Sequence, residues 1–266
     1  MLLSGVMMRT IIGPLSAYRI SILLLMAAFL FSCVPQAKVP LDTLFYGAKD
    51  GERSRALIVF LPGNGDPLSA FEHEGIVRAL KSRNIPADCI AVNAHLGYYV
   101  SGTFHQRLHE DVIAPARARG YDQIWLVGNS LGGYGSLSYA LTFPGEITGI
   151  VLLGPFLGEK PLIEEIKRGG GVDQWDPGTP ERKEWERYLW FQIKACAVNK
   201  ACVAKIFMGY GMGDRFALGQ EYLADILLQD HVIVVKGGHS WSTWKTVWAS
   251  FLDRGLPGLD RKYTVP

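Results

Sequence analysis

A mostly parallel, doubly wound α/β sheet with a helical cap insertion is the architecture this chain predicts, and three observations predict it. Short apolar runs rich in Val, Ile and Leu alternate with amphipathic stretches of about ten or more residues. Several of these runs end in Gly-containing turns, as in "LIVFLPG", "IWLVG" and "VIVVKGG". One long charged and aromatic segment, from Lys160 to Lys200, breaks the alternation. A strand buried on both faces reads as a continuous apolar run because helices cover both sides of its sheet.

Strands are expected at 57–61, 89–92, 123–127, 147–153, 204–208 and 231–235, where the runs are apolar and often β-branched. Helices are expected at 67–83, 102–119, 134–143, 216–228 and 242–253, where apolar residues recur at helical spacing. Folded sequence begins near Leu41, which makes the domain 41–266 with an insertion at about 157–202. That insertion is too long for a plain crossover and would sit over the strand ends as a cap. Its Trp175, Trp185 and Trp190 either face a cleft or pack the cap on the body.

The N-terminus predicts export. Arg9 and Arg19 precede the apolar run from Ile20 to Phe31, which is shorter than the roughly 20 residues of a spanning helix and reads as a secretory signal. Leu30-Phe31-Ser32-Cys33 resembles a bacterial lipobox, which makes Cys33 the lipid-bearing first residue of the mature protein. Plain cleavage or an uncleaved anchor fits the same segment. Residues 34–40, "VPQAKVP", then form a tether between membrane and domain. The expected location is a bacterial cell envelope, on the periplasmic side, with a lipid or anchor as the membrane attachment. Cys196 and Cys202 either close a disulfide in that oxidising compartment or pack as small core residues of a helix. Cys89 lies in an apolar run and reads as inert packing.

A net charge of +2, with Lys and Arg interspersed among Asp and Glu, leaves no basic stripe for nucleic acid and points to a small-molecule partner. No cofactor is expected: "PGNGD" lacks the Lys-Ser/Thr of a phosphate loop, and "GYGMG" lacks dinucleotide-fingerprint spacing. No metal is expected either. His105 and His109 have a metal-compatible helical spacing but no third ligand, and read as a solvated helix face.

The chemistry centres on "QIWLVGNSLGGYGSL", residues 123–137. With 30 Gly and about 14 Ser in 266 residues, Gly-x-Ser-x-Gly arises by composition in roughly one chain in five, so context must carry the assignment. The context is a strand before Ser130 and a helix after it. Gly128 and Gly132 lack the Cβ atoms that would obstruct a sharp turn, and Gly133 would let the helix lie close to the strand. A Ser hydroxyl needs a base to become a nucleophile. Among six His, His239 follows the strand "HVIVV" through paired glycines and reaches the sheet's carboxyl edge, where ligands of such sheets bind. His231 starts that strand and lies at the opposite edge, His73 reads as surface, and His95 is a candidate for lining the cleft. Asp214, after the strand at 204–208, would orient and charge-balance the imidazole, with Asp225 and Asp230 as weaker candidates. The oxyanion donors would be the backbone amides of Leu131 and of Asn64, in the loop after "LIVFL", each worth about 3 kcal/mol.

With Ser130, Asp214 and His239 in that order, the chain from about Leu41 to Leu256 resembles a serine α/β-hydrolase. Pro62 replaces the His of the usual His-Gly pair before the oxyanion loop. "GGHSWSTW" is similar to the Gly-x-His-x-Trp-x-x-Trp run of the esterase D and mycolyltransferase branch, in which Trp241 and Trp244 would pack behind the catalytic His. The resemblance implies hydrolysis of a carboxylic ester through an acyl-enzyme. Peptide hydrolysis, acyl transfer to an alcohol and a non-catalytic binding lipoprotein use the same fold. Nothing in the sequence speaks to oligomeric state.

Overall fold

A computed structural model describes residues 34–48 and 54–259. The expected signal segment, including Cys33, lies outside the described residues. The chain divides into two units, 1–36 and 37–266, and the sheet belongs to the second. In the first, the described residues 34–36 carry no helix or strand. Among the described residues no helix is long and apolar enough to cross a membrane.

Seven strands form one sheet: β1 (Thr43–Tyr46), β2 (Ala56–Leu61), β3 (Ala87–Val92), β4 (Gln123–Asn129), β5 (Gly149–Leu153), β6 (Ile206–Gly211) and β7 (Val232–Val235). Their spatial order is β1-β3-β2-β4-β5-β6-β7. All neighbours are parallel except β1, which pairs antiparallel with β3, Thr43 opposite Val92. β1 escapes sequence reading because it is a four-residue edge strand with alternating partial exposure, without the continuous apolar run of a central strand. Central β2 is buried throughout. Leu57, Val59 and Leu61 enter one core while Ile58 and Phe60 enter the other, as the two-residue strand period demands.

The first core lies under the 104–118 segment, the helix Leu131–Thr142, the helix Ala217–Ala224 and the insertion. The second lies under the helices Ala70–His73, Ile76–Ser82 and Trp241–Arg254. On that second face the fully buried Trp248 donates its indole N–H to the Ile76 carbonyl at 3.1 Å, tying the last helix to the first pair. The helix expected over 67–83 is thus two helices, broken at Gly75, whose φ of +81° a helix does not accept. The 102–119 helix has a π turn at His109–Ile113, which ends two residues before Pro115. Pro115 has no N–H to give the Asp111 carbonyl, and the wider turn falls where that bond is missing.

Contacts bear on three further expectations. Lys38, inside the expected tether, is held at both backbone groups by the Tyr98 hydroxyl, which accepts from its N–H at 3.0 Å and donates to its carbonyl at 3.1 Å. His105 and His109 are not a solvated face. His105 Nε2 is 3.0 Å from Ser138 Oγ, and His109 stacks on Phe143 with Nδ1 3.0 Å from Glu146 Oε2, because this helix packs its His side against Leu131–Thr142. The insertion, with helices Lys160–Arg168, Trp185–Ala197 and Lys200–Val203, packs largely along the sheet face. Its central helix lies beside Leu131–Thr142, so Trp185 meets Tyr134 near one end and Gln192 meets Thr142 near the other.

Within the insertion, Trp175 and Trp190 are core residues rather than cleft residues, at 3% and 0% exposure. Trp190 donates to the Leu157 carbonyl, and Trp175 donates to Glu165, which also accepts two bonds from Arg187. Those Arg187 bonds, with the Trp175 bond after them, pull the Glu165 carboxyl down to about 2. Cys196 and Cys202 are bonded to each other, with Cα atoms 5.6 Å apart, across the link between the last two helices. Cys89 is fully buried, and that burial pushes its thiol up to about 12.

Burial first, and the charge of Arg182 second, push the His105 imidazole down to about 4 from an ordinary 6.5. Between those two values the unfolded chain takes up a proton that the native state refuses. This contribution to stability is therefore whole above pH 6.5 and declines as pH falls toward 4. His105→Gln, which keeps a polar partner for Ser138, should flatten the loss of unfolding free energy between pH 6.5 and 4 in urea titrations. A slope equal to that of the wild type would contradict the assignment.

Candidate active site

Because β2 and β4 to β7 are parallel, the chain leaves all of them at one edge, and register aligns their ends: Leu61 opposes Gly128, Leu153 opposes Gly209, and Gly211 opposes Val235. The residues singled out in the sequence follow these ends. Ser130 begins the turn between β4 and the helix Leu131–Thr142 with φ +49° and ψ −115°, one of two non-glycine residues with positive φ among those described. Such a conformation costs on the order of 1–3 kcal/mol and persists only where its surroundings enforce it. They do so here through three backbone bonds: Ser130 N–H donates to Leu153 O, and its carbonyl accepts from Phe156 and Tyr134.

The glycines make the turn possible by contact. A Cβ on Gly132 would stand 1.9 Å from the Leu61 carbonyl oxygen, and one on Gly128 2.1 Å from the Gly132 oxygen. Gly133 serves a second neighbour besides the one expected. Its open side is filled first by Pro155, 2.8 Å from where a Cβ would be, and also faces the β4 carbonyl of Gly128 at 3.3 Å.

The structure brings Ser130, His239 and Asp214 together. His239 Nε2 lies 2.9 Å from Ser130 Oγ, and Nδ1 lies 2.9 and 3.0 Å from the two Asp214 oxygens. With Nδ1 protonated toward the carboxylate, Nε2 carries a lone pair and accepts from the Ser130 hydroxyl. The Asp214 side chain has no exposed surface and that of His239 is 10% exposed, so water competes little for the pair. Asp214 is fixed by its own N–H to Gly211 O and by Phe216 N–H to Oδ1. The Gly-rich turns after β6 and β7 interlock, with Met212 bonded to Val235 and Gly213 to Gly237. The His239 ring is wedged edge-to-face between Phe216 and Trp244, each 5.0 Å away by centroid. His231 stacks on Phe207 at the other edge, His73 is exposed, and His95 caps the helix Leu96–Val100 by accepting from Gly97.

Leu131 is the first residue of its helix, so its N–H has no intrahelical acceptor and is free for a ligand. The loop carrying Asn64 is pressed against Ser130, since a Cβ on Gly63 would come within 3.3 Å of the Ser130 Cβ. Asn64 itself is exposed, as a ligand-facing amide requires. Sequence reasoning missed Asn129, the completely buried polar residue between Gly128 and Ser130. A polar side chain closing an otherwise apolar strand was the available signal.

Sequence reasoning named Trp185 as a candidate to face a cleft but missed the aromatic wall to which that ring belongs. Trp185, 41% exposed, meets Tyr134 at 4.9 Å and Phe156 at 5.8 Å, and Phe156 in turn meets Phe216 at 5.1 Å. Three of these four residues are anchored to the Ser130 region: Tyr134 and Phe156 donate backbone bonds to the Ser130 carbonyl, and Phe216 packs on His239. Beside Phe216 opens a cavity of about 270 Å³, floored by Leu157, Ile163 and Leu218. Arg215, stacked over the Phe216 ring at 4.8 Å, stands at its rim. Among the described residues no group of three or more His, Cys, Asp or Glu is placed to hold a metal ion.

A family model described as the alpha/beta hydrolase fold matches residues 56–182, a stretch that includes Ser130 and ends before Asp214 and His239. No curated protein matches the chain. Among solved structures the chain is similar to a ferulic acid esterase, at 16% identity and a TM-score of 0.55 over 85% of this chain and 98% of that one. It is similar to Est1E from Butyrivibrio proteoclasticus at 15% identity and a TM-score of 0.54, over 83% and 97%. An S-formylglutathione hydrolase from Agrobacterium tumefaciens aligns at 13% identity and a TM-score of 0.51, over 83% and 92%. At such identities the likeness is one of fold.

Proposed function

We propose that this chain, whose fold is that of the α/β-hydrolases, is an exported serine hydrolase that cleaves a carboxylic ester. One observation carries the proposal: a Ser on a strained strand-to-helix turn, hydrogen-bonded to a His that is hydrogen-bonded to a buried Asp. His239 takes the Ser130 proton as Oγ attacks the ester carbonyl. The imidazolium formed is balanced by Asp214, and the oxyanion is held by the amides of Leu131 and Asn64. Collapse expels the alcohol, which receives the proton from His239 and leaves an acyl-Ser130. Water, deprotonated by the same His, then releases the acid.

The aromatic wall supports an apolar acyl or alcohol group as the part of the substrate that the enzyme grips. Trp185 is its exposed member and faces no hydrogen-bonding task that would explain its place. That a ferulic acid esterase is named among the structural neighbours is consistent with this class. Export rests on the basic and apolar N-terminus, on Cys33 in its lipobox-like setting, and on a disulfide between Cys196 and Cys202.

Ser130→Ala should abolish labelling by a fluorophosphonate probe and lower kcat on p-nitrophenyl butyrate by a factor on the order of 10⁴. Labelling of both forms, or of neither, would sink the mechanism. Trp185→Ala should raise KM for p-nitrophenyl octanoate by about tenfold, roughly the loss of 1–2 kcal/mol of apolar contact, and change KM for the acetate by less than twofold. Equal effects on both esters would remove Trp185 from the binding wall. Cys33→Ser should move the protein from the membrane to the soluble fraction of the cell envelope. Continued membrane association of that variant would rule out a lipid on Cys33 as its anchor.

A further inference from the structure

We infer that Asp66 is a positioning residue that sets the Asn64 amide for the oxyanion, an inference that rests on the serine-hydrolase reading above. Its two carboxylate oxygens collect three donors: one from its own loop, one from the last residue of β4 and one from the first residue of the helix Trp241–Arg254. Oδ2 accepts from the Gly63 N–H at 3.1 Å and from Asn129 Nδ2 at 2.8 Å, while Oδ1 accepts from the Trp241 indole at 3.2 Å. Asn129 closes the ring with its own Oδ1, which accepts from the same Gly63 N–H at 3.0 Å. The Asp66 N–H in turn donates to the Gly63 carbonyl at 3.2 Å.

Gly63 is therefore clamped on both its backbone groups, and on its α-carbon side as well. The space a Cβ would need is filled by Asn129 Nδ2 at 2.8 Å and Asp66 Oδ2 at 2.9 Å. The next peptide unit carries the Asn64 N–H. A peptide plane has two soft torsions per residue, so fixing Gly63 against the residue that precedes the nucleophile leaves the Asn64 amide little freedom relative to Ser130. The link to Trp241 extends the same frame to the general base. Trp241 packs edge-on against Trp244 at 5.1 Å, and Trp244 packs edge-on against the His239 ring at 5.0 Å.

The chemistry of the side chain is also specific. All three partners are donors, so the position calls for a group that only accepts, and an ionised carboxylate is the side chain that meets this on both oxygens. An Asn of the same shape would turn an NH₂ toward either the indole or the Gly63 and Asn129 donors. The Asp66 carboxylate is engaged by Gly63, Asn129 and Trp241, none of them a member of the triad. It acts through where it holds the Asn64 amide, and hydrogen bonds aimed at the developing oxyanion are what such misplacement weakens first.

The test compares p-nitrophenyl butyrate with its thiono analogue, in which sulfur takes the place of the carbonyl oxygen and gains less from oxyanion donors. For wild type and Asp66→Asn we would measure kcat, KM, the oxo-to-thiono ratio of kcat/KM, the pH–rate profile and the melting temperature. The expected result is a kcat on butyrate lower by about 10- to 100-fold, KM within about threefold, and an oxo-to-thiono ratio lower by at least about fivefold. The limb of the pH profile set by the general base should not move. A kcat within twofold of wild type, or a lower kcat with an unchanged ratio, would overturn the inference and leave Asp66 a structural brace.

If Asp66→Asn does not fold, Trp241→Phe decides by the same ratio, because it deletes one donor to Asp66 and keeps a ring in place. A lower ratio supports the inference and an unchanged one overturns it. Wild type that cleaves neither ester would overturn both this inference and the esterase reading. Active wild type with an unaltered Asp66→Asn overturns this inference alone.

Discussion

The approach of the helix Leu131–Thr142 to β2 at Gly132 is the contact on which the rest of the site depends. With the space for a Cβ lying 1.9 Å from the Leu61 carbonyl oxygen, no side chain can exist there without the helix moving off the sheet. That closeness forces the chain to reverse between Asn129 and Leu131 in one residue, and Ser130 takes the strain as a positive φ. The result is geometric: Oγ is presented at the sheet edge, 2.9 Å from His239 Nε2, beside the Leu131 amide, which has no acceptor within its helix.

Around that turn the site is held by loops that brace one another. Gly-rich turns after β6 and β7 interlock through Met212, Gly213, Val235 and Gly237, so Asp214 and His239 arrive in fixed relation. The loop after β2 is joined to the Ser turn through Gly63, Asn129 and Asp66, and to the His segment through Trp241. In the proposed mechanism these braces would set the donor amides before any substrate arrives, which is the condition for electrostatic stabilisation of a transition state. Aromatic rings, two of them packed directly on the His239 imidazole, exclude water from the buried Asp–His pair and strengthen it.

The insertion contributes less as a lid than its position in the sequence suggests. Its central helix is spent on covering the sheet face beside Leu131–Thr142, which is why Trp175 and Trp190 vanish into the core. Of that helix only the start reaches the cleft, where Trp185 joins Tyr134, Phe156 and Phe216 in one wall, while Leu157 and Ile163 of the insertion line the cavity beside Phe216. The same face absorbs His105 and His109, whose spacing alone had suggested either metal or solvent. Periodicity identifies a helix face but does not say what lies opposite it.

By itself the sequence determined six of the seven strands, their parallel arrangement and the residues that follow them. Central strands are continuous apolar runs, and a parallel sheet sends every carboxyl end to one edge, so Ser130, Asp214 and His239 could be placed together from their positions after β4, β6 and β7 alone. The short edge strand β1 and the break at Gly75 stayed hidden, since neither leaves a periodic trace. Tertiary structure decided everything that depends on contacts between distant segments: that Asn129 and Asp66 grip Gly63, that Trp241 is a donor as well as packing, and that Trp185 is the cap tryptophan at the cleft. Those contacts depend on where side chains from separate loops converge, and no local pattern of residues encodes that convergence.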